Sequence, residues 1–227
     1  MSAPSPTPTR QRRKEARPQE LLDAALALFV EKGYAATRSE EVARRAGVSK
    51  GTLYLYYPSK EVLLKAVIRH NLAALIAEGI ELVDAFEGST SELITLMMRT
   101  WWHRVNNTPA SGIFKIMMSE ACNFPELAAF YSEEVITPAE AMIRRALERG
   151  VARGEFRTIA LDEITLVLSA PILFMALHKH SLGACGVAGL VRDGNCVVDT
   201  HIDLVLNGLK ADTPPRTKPP AGKRRSP

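Results

Sequence analysis

The chain contains few cysteines, and they lie far apart. Its 227 residues include three cysteines, and none lies at the spacing of a zinc site or of a thioredoxin-type pair. An odd number of scattered thiols excludes a disulfide framework as the basis of the fold. We therefore expect a reducing, cytoplasmic setting. The cysteines are Cys122, Cys185 and Cys196.

Long uninterrupted hydrophobic runs are also absent. The longest apolar stretch, residues 164–177, is broken by Ser169 and Pro171, and the first 18 residues hold charge but no apolar segment. A membrane-spanning helix needs about 20 mainly apolar residues, and a signal peptide needs an apolar centre. We predict neither feature and expect no membrane partner.

Recognisable catalytic patterns are missing as well. The sequence shows no serine-histidine-acid pattern, no paired carboxylates and no phosphate-binding loop. His178 and His180 are two positions apart, so on a helix they face different sides and cannot form a metal-binding pair. The sequence therefore predicts no enzyme, no cofactor and no metal site. A helical enzyme or a protein-interaction adaptor is the alternative, with no motif in its favour.

Positive charge is concentrated at the two ends. Residues 1–17 hold five basic residues against Glu15, and residues 210–227 hold six against Asp212. Both segments are rich in proline and poor in large apolar residues, which predicts a disordered basic arm and a disordered basic tail. Such segments suit a polyanion, either a nucleic acid or a membrane surface. For the tail, a solubilising role is an equal alternative.

What the sequence does contain is helical periodicity. From Pro18 onward, apolar residues recur three and four apart without strict alternation, which predicts an all-α chain. A first helix begins at Pro18 and ends at Gly33, and a second opens with a capping box from Thr37 to Glu40. Further helices are predicted at about residues 60–83, 91–106, 112–123, 125–153 with a break near 137, 161–182 and 198–209.

A short third helix lies between these segments. Gly47 provides a turn after the second helix, the third begins near Ser49, and Ser59 caps the next. Two short helices joined by a glycine-containing turn have the form of a helix-turn-helix.

The third helix predicts a side that faces DNA. Leu53 points to the core, whereas Lys50, Gly51 and Tyr54 share the opposite side. A lysine and a tyrosine can donate hydrogen bonds to phosphate, and lysine can also reach a guanine edge. Gly51 costs helix stability but lets the backbone approach closely.

Residues 37–64 resemble the DNA-binding domain of the TetR family, bacterial repressors similar to the tetracycline repressor. The resemblance extends over residues 18–64 when the preceding helix is included. It implies an N-terminal three-helix helix-turn-helix domain at 18–64 and a C-terminal helical ligand-binding and dimerisation domain at 65–209. The residues that carry it are Thr37, Val42, Ala43, Ala46, Gly47, Val48, Ser49, Gly51, Thr52, Leu53, Tyr54, Tyr56, Tyr57, Ser59, Lys60, Glu61 and Leu64.

By this resemblance, the third helix enters the major groove of double-stranded operator DNA. Tyr57 stands where the family usually has phenylalanine, which assigns it to the core. Packing of Tyr54 or Tyr56 on the fourth helix, and a plain surface role for Lys60, are the alternatives. The implied DNA-binding residues are Ser39, Arg45, Ser49, Lys50, Gly51, Thr52, Tyr54, Tyr56 and Lys60, with Ser39 and either Arg44 or Arg45 the weaker candidates.

The resemblance also implies an effector pocket among the later helices. Aromatic and methionine residues suit an adaptable apolar pocket, although an ordinary helical core has the same composition. We expect a small, mostly apolar or aromatic effector. The candidate ligand-binding residues are Trp101, Trp102, His103, Phe114, Met117, Met118, Cys122, Phe130 and Phe174.

The last two helices are predicted to form a dimer interface. Residues 161–182 are apolar nearly all round, and residues 198–209 have an apolar side, so a partner is expected to cover them. The family plan implies a twofold homodimer on a near-palindromic operator. A monomeric core built from the same residues is the alternative.

Together these features predict a ligand-responsive repressor that its effector releases from the operator, with coupling through the long fourth helix. The alternative is a thiol- or metal-responsive regulator that uses the three cysteines as its switch.

Overall fold

Helices form the regular elements of the described chain. The computed structural model describes residues 9–187 and 193–211. In these ranges the predicted all-α fold is confirmed, and the one β-like pairing is an isolated antiparallel bridge between Phe156 and Lys210. The helices are α1 (Thr9–Lys32), α2 (Ser39–Arg45), α3 (Lys50–Tyr56), α4 (Lys60–Ile68), α5 (Ala74–Ala85), α6 (Thr90–Trp101), α7 (Gly112–Glu120), α8 (Pro125–Tyr131), α9 (Thr137–Ala152), α10 (Leu161–His180) and α11 (Gly194–Leu209).

Two π-helical segments join neighbouring helices, and a third lengthens one helix. Arg69–Ala73 joins α4 to α5, Trp102–Asn106 extends α6, and Ser132–Ile136 joins α8 to α9. The kink or break predicted near residue 137 is therefore a wide turn of helix that ends at Ile136, directly before α9. Short 3-10 turns lie at Pro109–Ser111 and Gly183–Cys185.

The first helix begins earlier than predicted. α1 starts at Thr9 and runs through Pro18 to Lys32, so helix replaces the disorder that we expected over residues 9–17. This stretch consists mainly of arginine, glutamine, lysine and glutamate, which favour helix, and that preference outweighs the proline signal. The rest of the predicted arm, and the predicted tail from residue 212, lie outside the described residues.

The helix-turn-helix forms as predicted around Gly47. This glycine has φ of 66°, in the left-handed region that favours glycine, and it turns the chain from α2 into α3. The Ser49 Oγ then accepts a hydrogen bond from the Thr52 N–H at 3.0 Å and caps α3. Leu53 is fully buried in the core cluster that also holds residues of α1, α2 and α4, which confirms its predicted core position.

The predicted capping box of α2 is wrong by one residue. The Thr37 hydroxyl donates a hydrogen bond to the carbonyl oxygen of Gly33, 2.7 Å away, and so closes the end of α1. α2 is capped instead where the Arg38 N–H donates to Glu41 Oε2 at 3.2 Å. A threonine can bond to the turn behind it as well as to the helix ahead, and the sequence does not distinguish the two.

α10 leaves much of its apolar surface uncovered. The segment Leu161–Cys185 is long and apolar enough to cross a membrane by length and composition, and 28% of its 18-residue apolar window is buried in the chain. Phe174 on α10 is 52% exposed, and Leu204 on α11 is 67% exposed. The described chain thus presents an apolar face on its last two helices.

Candidate DNA-binding surface and effector cavity

α3 exposes the side that the sequence predicts. Gly51, Tyr54 and Tyr56 are exposed, whereas Tyr57 is half-buried against the core of α1–α4. Burial raises the pKa of the Tyr57 phenol. The division of the tyrosines into two surface residues and one core residue is therefore confirmed.

Leu55 is an exposed residue that the sequence reasoning missed. It is 85% exposed and lies four positions after Gly51, on the same side of α3. A Cβ added at Gly51 would have only Ser49 Oγ nearby, at 3.8 Å. The spacing from Gly51 could have revealed this leucine, which can pack against a thymine methyl group.

Lys50 is paired with an acid of the preceding helix. Its ammonium forms an ion pair with Glu40, and Nζ lies 5.8 Å from the centre of the Tyr54 ring. The hydrogen bond from Lys50 lowers the pKa of Glu40. The pair is exposed and therefore weak, so Lys50 can exchange Glu40 for a phosphate. Beside it, Ser49 Oγ and Thr52 Oγ1 lie 2.9 Å apart.

The two predicted contacts on α2 are poorly placed. Ser39 is buried, so it has little surface to offer DNA. Arg45 is exposed but turns toward α1, where Nη1 donates to Glu31 Oε1 at 2.7 Å. Arg44 is also exposed, and within the described residues it forms no ion pair. Which of the two arginines contacts DNA stays a prediction.

Lys60 contacts backbone carbonyl oxygens and is not free for the phosphate contact that we predicted. Its Nζ donates to the carbonyl oxygens of Tyr34, Ala35 and Thr37 at 2.9, 3.1 and 3.1 Å. A lysine ammonium has three donors, so these bonds leave none for DNA. Burial lowers the pKa of the ammonium. Lys60 stabilises the turn between α1 and α2.

An apolar cavity of about 390 Å³ lies among α6 to α10. This volume is in the range of sites for small ligands. Flexible thioether side chains form much of the wall, which lets it adapt to different shapes. The methionines that line the cavity are Met97, Met98, Met117, Met118 and Met142.

Four of the predicted ligand-binding residues line this cavity. They are Trp101, Phe114, Met117 and Met118. Their contact with an effector stays a prediction. The methionines of α6 and α9 were not among the candidates, although their helical spacing on amphipathic helices is the signal that could have selected them.

The other five candidates lie outside the cavity wall. Trp102 is buried elsewhere, where its Nε1 donates to Asn195 Oδ1 at 2.7 Å. Phe130 is buried with the Arg69 guanidinium 4.8 Å from its ring centre. His103, Cys122 and Phe174 are exposed. Their residue types suited a pocket, but their positions around the helices turn them away from it.

α7 connects the cavity to the turn between α1 and α2. Glu120, at the end of α7, is buried, and its Oε1 accepts a hydrogen bond from the Ala35 N–H at 3.3 Å. Phe124, just beyond α7, packs edge-to-face on Tyr34 with ring centres 5.1 Å apart. Phe114, on the same helix as Glu120, lines the cavity. One short helix thus contacts both regions.

The cysteines offer little support for a thiol switch. All three are exposed and free. The Cys196 thiol donates to Asp193 Oδ2 at 3.3 Å, and this hydrogen bond raises the pKa of the thiol. A reactive cysteine needs a lowered pKa instead.

α3 is exposed and follows the glycine turn, and the later helices enclose a cavity. These two features define a helix-turn-helix regulator with an effector-binding domain. Residues 21–67 match the family model for bacterial regulatory proteins of the tetR family, and residues 87–186 match the model for the tetracyclin repressor-like C-terminal domain. The chain belongs to the TetR family.

Relatives are found for nearly the whole chain. It is 26% identical over 200 residues to the HTH-type transcriptional repressor KstR2 of Rhodococcus jostii (strain RHA1), covering 86% of this chain and 92% of the relative. The structure of the ketosteroid transcriptional regulator KstR2 of Mycobacterium tuberculosis has a TM-score of 0.66 at 23% identity, covering 86% and 96% of the two chains. The fatty acid degradation regulator FadR of Bacillus halodurans has a TM-score of 0.69 at 17% identity, covering 92% and 100%.

These likenesses fix the class of the protein. At such low identity the solved structures show the shared fold alone, and the family models add the role. The chain is a ligand-responsive, DNA-binding transcriptional regulator and not an enzyme.

Proposed function

We propose that this protein is a cytoplasmic repressor that binds a near-palindromic operator as a homodimer and leaves it when a small, mainly apolar effector fills the cavity. The observation that carries the proposal is α7, which lines the cavity and also contacts the turn that holds the helix-turn-helix. A ligand and an operator can influence each other only through such a physical link.

DNA recognition is assigned to the exposed side of α3. Lys50 and Tyr56 donate to phosphates, and Tyr54 and Leu55 pack against base edges. Gly51 lets the backbone come close, since only Ser49 Oγ lies within 4 Å of a Cβ at this position. Thr52 and Ser49 supply short hydroxyl groups beside them.

Dimer formation is assigned to α10 and α11. Their outward apolar residues include Phe174 and Leu204, and a stable soluble chain covers a patch of this kind with a partner. A twofold axis makes the interface self-complementary and places two copies of α3 on related half-sites.

The effector is inferred from the cavity wall and from the relatives. The wall is dominated by methionine, aromatic and aliphatic side chains. KstR2 of M. tuberculosis is named as a ketosteroid regulator, and FadR of B. halodurans as a regulator of fatty acid degradation. Steroids and fatty acids are mostly hydrocarbon, in keeping with a mainly apolar effector here.

Coupling is assigned to two routes. The first is the continuous helix from α4 to α5, as the sequence suggested. The second is α7, where Glu120 holds Ala35 and Phe124 holds Tyr34. A shift of α7 on ligand entry would move this turn, and Lys60 ties the turn to the start of α4.

Selection of duplexes from a random-sequence library by the purified protein tests the proposal. We expect enrichment of an inverted repeat and a complex of two chains per duplex. Enrichment of no sequence at low salt, or of a single half-site by a monomer, would contradict it.

A further inference from the structure

Two residues that line the cavity carry hydrogen-bond donors without a protein partner. They are Trp101 and Tyr131, and within the described residues neither the indole N–H nor the phenol O–H makes a hydrogen bond. Neither donor atom is among the fully buried atoms without a partner, which in the described residues belong to Thr90, Asn106 and Arg149. Each donor therefore keeps some accessible surface.

Ligand entry would make these donors costly to leave unpaired. Tyr131 is half-buried between α8 and the following π-helical segment, and burial raises the pKa of its phenol. The phenol therefore stays protonated and acts as a donor. An apolar ligand that covers these donors costs free energy unless it replaces the water they contact. A ligand that supplies an acceptor avoids this cost.

The charges around the cavity restrict the ligand further. The described wall contains no lysine, arginine or histidine, and its one acid is Glu140, which is exposed. A carboxylate or phosphate inside would have no cation to pair with and would be repelled by Glu140. A cation would be attracted by Glu140, but solvent screens this exposed carboxylate, and the apolar wall does not offset the cost of removing the cation from water.

We propose that the effector is an uncharged, mainly apolar molecule with an oxygen acceptor, such as a ketone or ester carbonyl, that accepts hydrogen bonds from Tyr131 and Trp101. This inference rests on the proposed function, because it names the ligand of the same cavity. The proposal favours neutral carbonyl compounds over free fatty acids and lipophilic cations. The apolar wall alone does not distinguish these three classes of ligand.

A set of matched fluorescent probes tests it with the full-length protein. The neutral probe is the ethyl ketone of dimethylaminonaphthalene, whose emission shifts to longer wavelength when its carbonyl accepts a hydrogen bond. The matched probes are the propyl analogue without the carbonyl, the naphthoate anion and the trimethylammonium ketone. Titrations compare the wild type with Tyr131→Phe and Trp101→Phe, and Tyr57→Phe serves as a control outside the cavity.

We expect the neutral ketone to bind most tightly. Tyr131→Phe should weaken it about three- to tenfold and shift its emission to shorter wavelength, because one hydrogen bond is lost while the ring is kept. The propyl analogue should bind wild type and Tyr131→Phe equally, and Tyr57→Phe should change neither affinity.

Three outcomes would overturn the inference. One is equal loss of the ketone and the propyl analogue in Tyr131→Phe, which would mean a packing role. The second is tighter binding of the anion or the cation than of the neutral ketone. The third is unchanged ketone binding in both cavity variants. Failure of every probe to bind would contradict the role of the cavity as an effector site, and with it the proposed function.

Discussion

The carboxylate of Glu120 accepts a hydrogen bond from the backbone N–H of Ala35 at 3.3 Å, across 85 positions of sequence. Glu120 ends the helix that lines the cavity, and Ala35 belongs to the turn that leads into the helix-turn-helix. The same turn receives Lys60 through Ala35 and two other carbonyl oxygens. The helices of the effector cavity and the helix-turn-helix are thus connected by this hydrogen bond.

Removing this contact should uncouple the cavity from DNA. Ala128→Phe places a ring in the cavity and serves as a built-in occupant, which we expect to weaken operator binding about fivefold or more. Adding Glu120→Ala should reduce this effect to within about twofold, and Glu120→Gln, which keeps an acceptor oxygen, should restore part of it. The measurement is a double-mutant cycle on operator affinity. Glu126→Gln, an exposed acid of α8, is the control, and an undiminished effect of the ring in Glu120→Ala would reject this route.

Lys50 and Lys60 should respond differently to the same substitution. Lys50→Met should remove a phosphate contact and lower the slope of log affinity against log salt by about 0.9. Lys60→Met should leave the slope unchanged but lower the free energy of unfolding by about 1–3 kcal/mol, because three carbonyl oxygens lose their donor. Salt titrations and thermal melts of both variants check this pair. A reduced slope in Lys60→Met would restore its phosphate role.

Gly51 should separate folding from DNA binding. Gly51→Ala should stabilise α3 by about 0.5–1 kcal/mol, since the added Cβ meets only Ser49 Oγ at 3.8 Å. Gly51→Leu should also fold but should bind the operator at least about tenfold more weakly, because the larger side chain holds the backbone away from DNA. Melts and operator titrations measure both effects. Normal DNA affinity in Gly51→Leu would show that α3 does not approach closely here.

The stability of the protein should fall below neutral pH through His180. Its Nε2 lies 2.8 Å from Ser111 Oγ, and burial, with Lys179 and Lys115 nearby, lowers its pKa to about 4 from 6.5. The unfolded chain therefore binds the proton first, so this contribution is complete above pH 6.5 and is lost as the pH falls toward 4. The half-buried position limits the change to about 1–2 kcal/mol.

Melting temperature against pH tests this assignment. His180→Gln, which can still bond to Ser111, should flatten the curve between pH 4 and 6.5, and the exposed His103→Gln should not. Parallel curves for wild type and His180→Gln would assign the pH dependence to other groups.

The dimer should depend on the outward face of α10 and α11. Phe174→Glu with Leu204→Glu should give a monomer that binds operator DNA weakly, because a buried carboxylate pair would oppose association. Leu96→Glu, at an exposed leucine of α6, is the matched control. Light scattering after gel filtration measures the mass, and a dimer that persists in the double variant would place the interface elsewhere.

α3 was predictable because the signals that define it are local, whereas the contacts of neighbouring residues were not. The turn at Gly47, the cap at Ser49 and the buried Leu53 lie within seven positions of sequence, and each lies where the sequence indicated. Lys60 differs because its partners are the carbonyl oxygens of a turn 23 to 26 positions away. Backbone acceptors of this kind carry no sequence signal.

The cavity was predictable in kind but not residue by residue. Trp101 and Trp102 are adjacent and chemically identical, yet one lines the cavity and the other bonds to Asn195. About 100° of helical rotation separates them, and only the packing of α6 against its neighbours decides which one faces the ligand.

Competition between the operator and a cavity ligand shows whether filling the cavity releases DNA. The measurement is the fluorescence anisotropy of a labelled operator duplex bound by wild-type protein, titrated with the neutral naphthyl ketone while its own emission reports cavity filling. We predict that anisotropy falls to the value of free DNA as the cavity fills, and that it falls much less in Glu120→Ala. DNA that stays bound to protein with a filled cavity would contradict it.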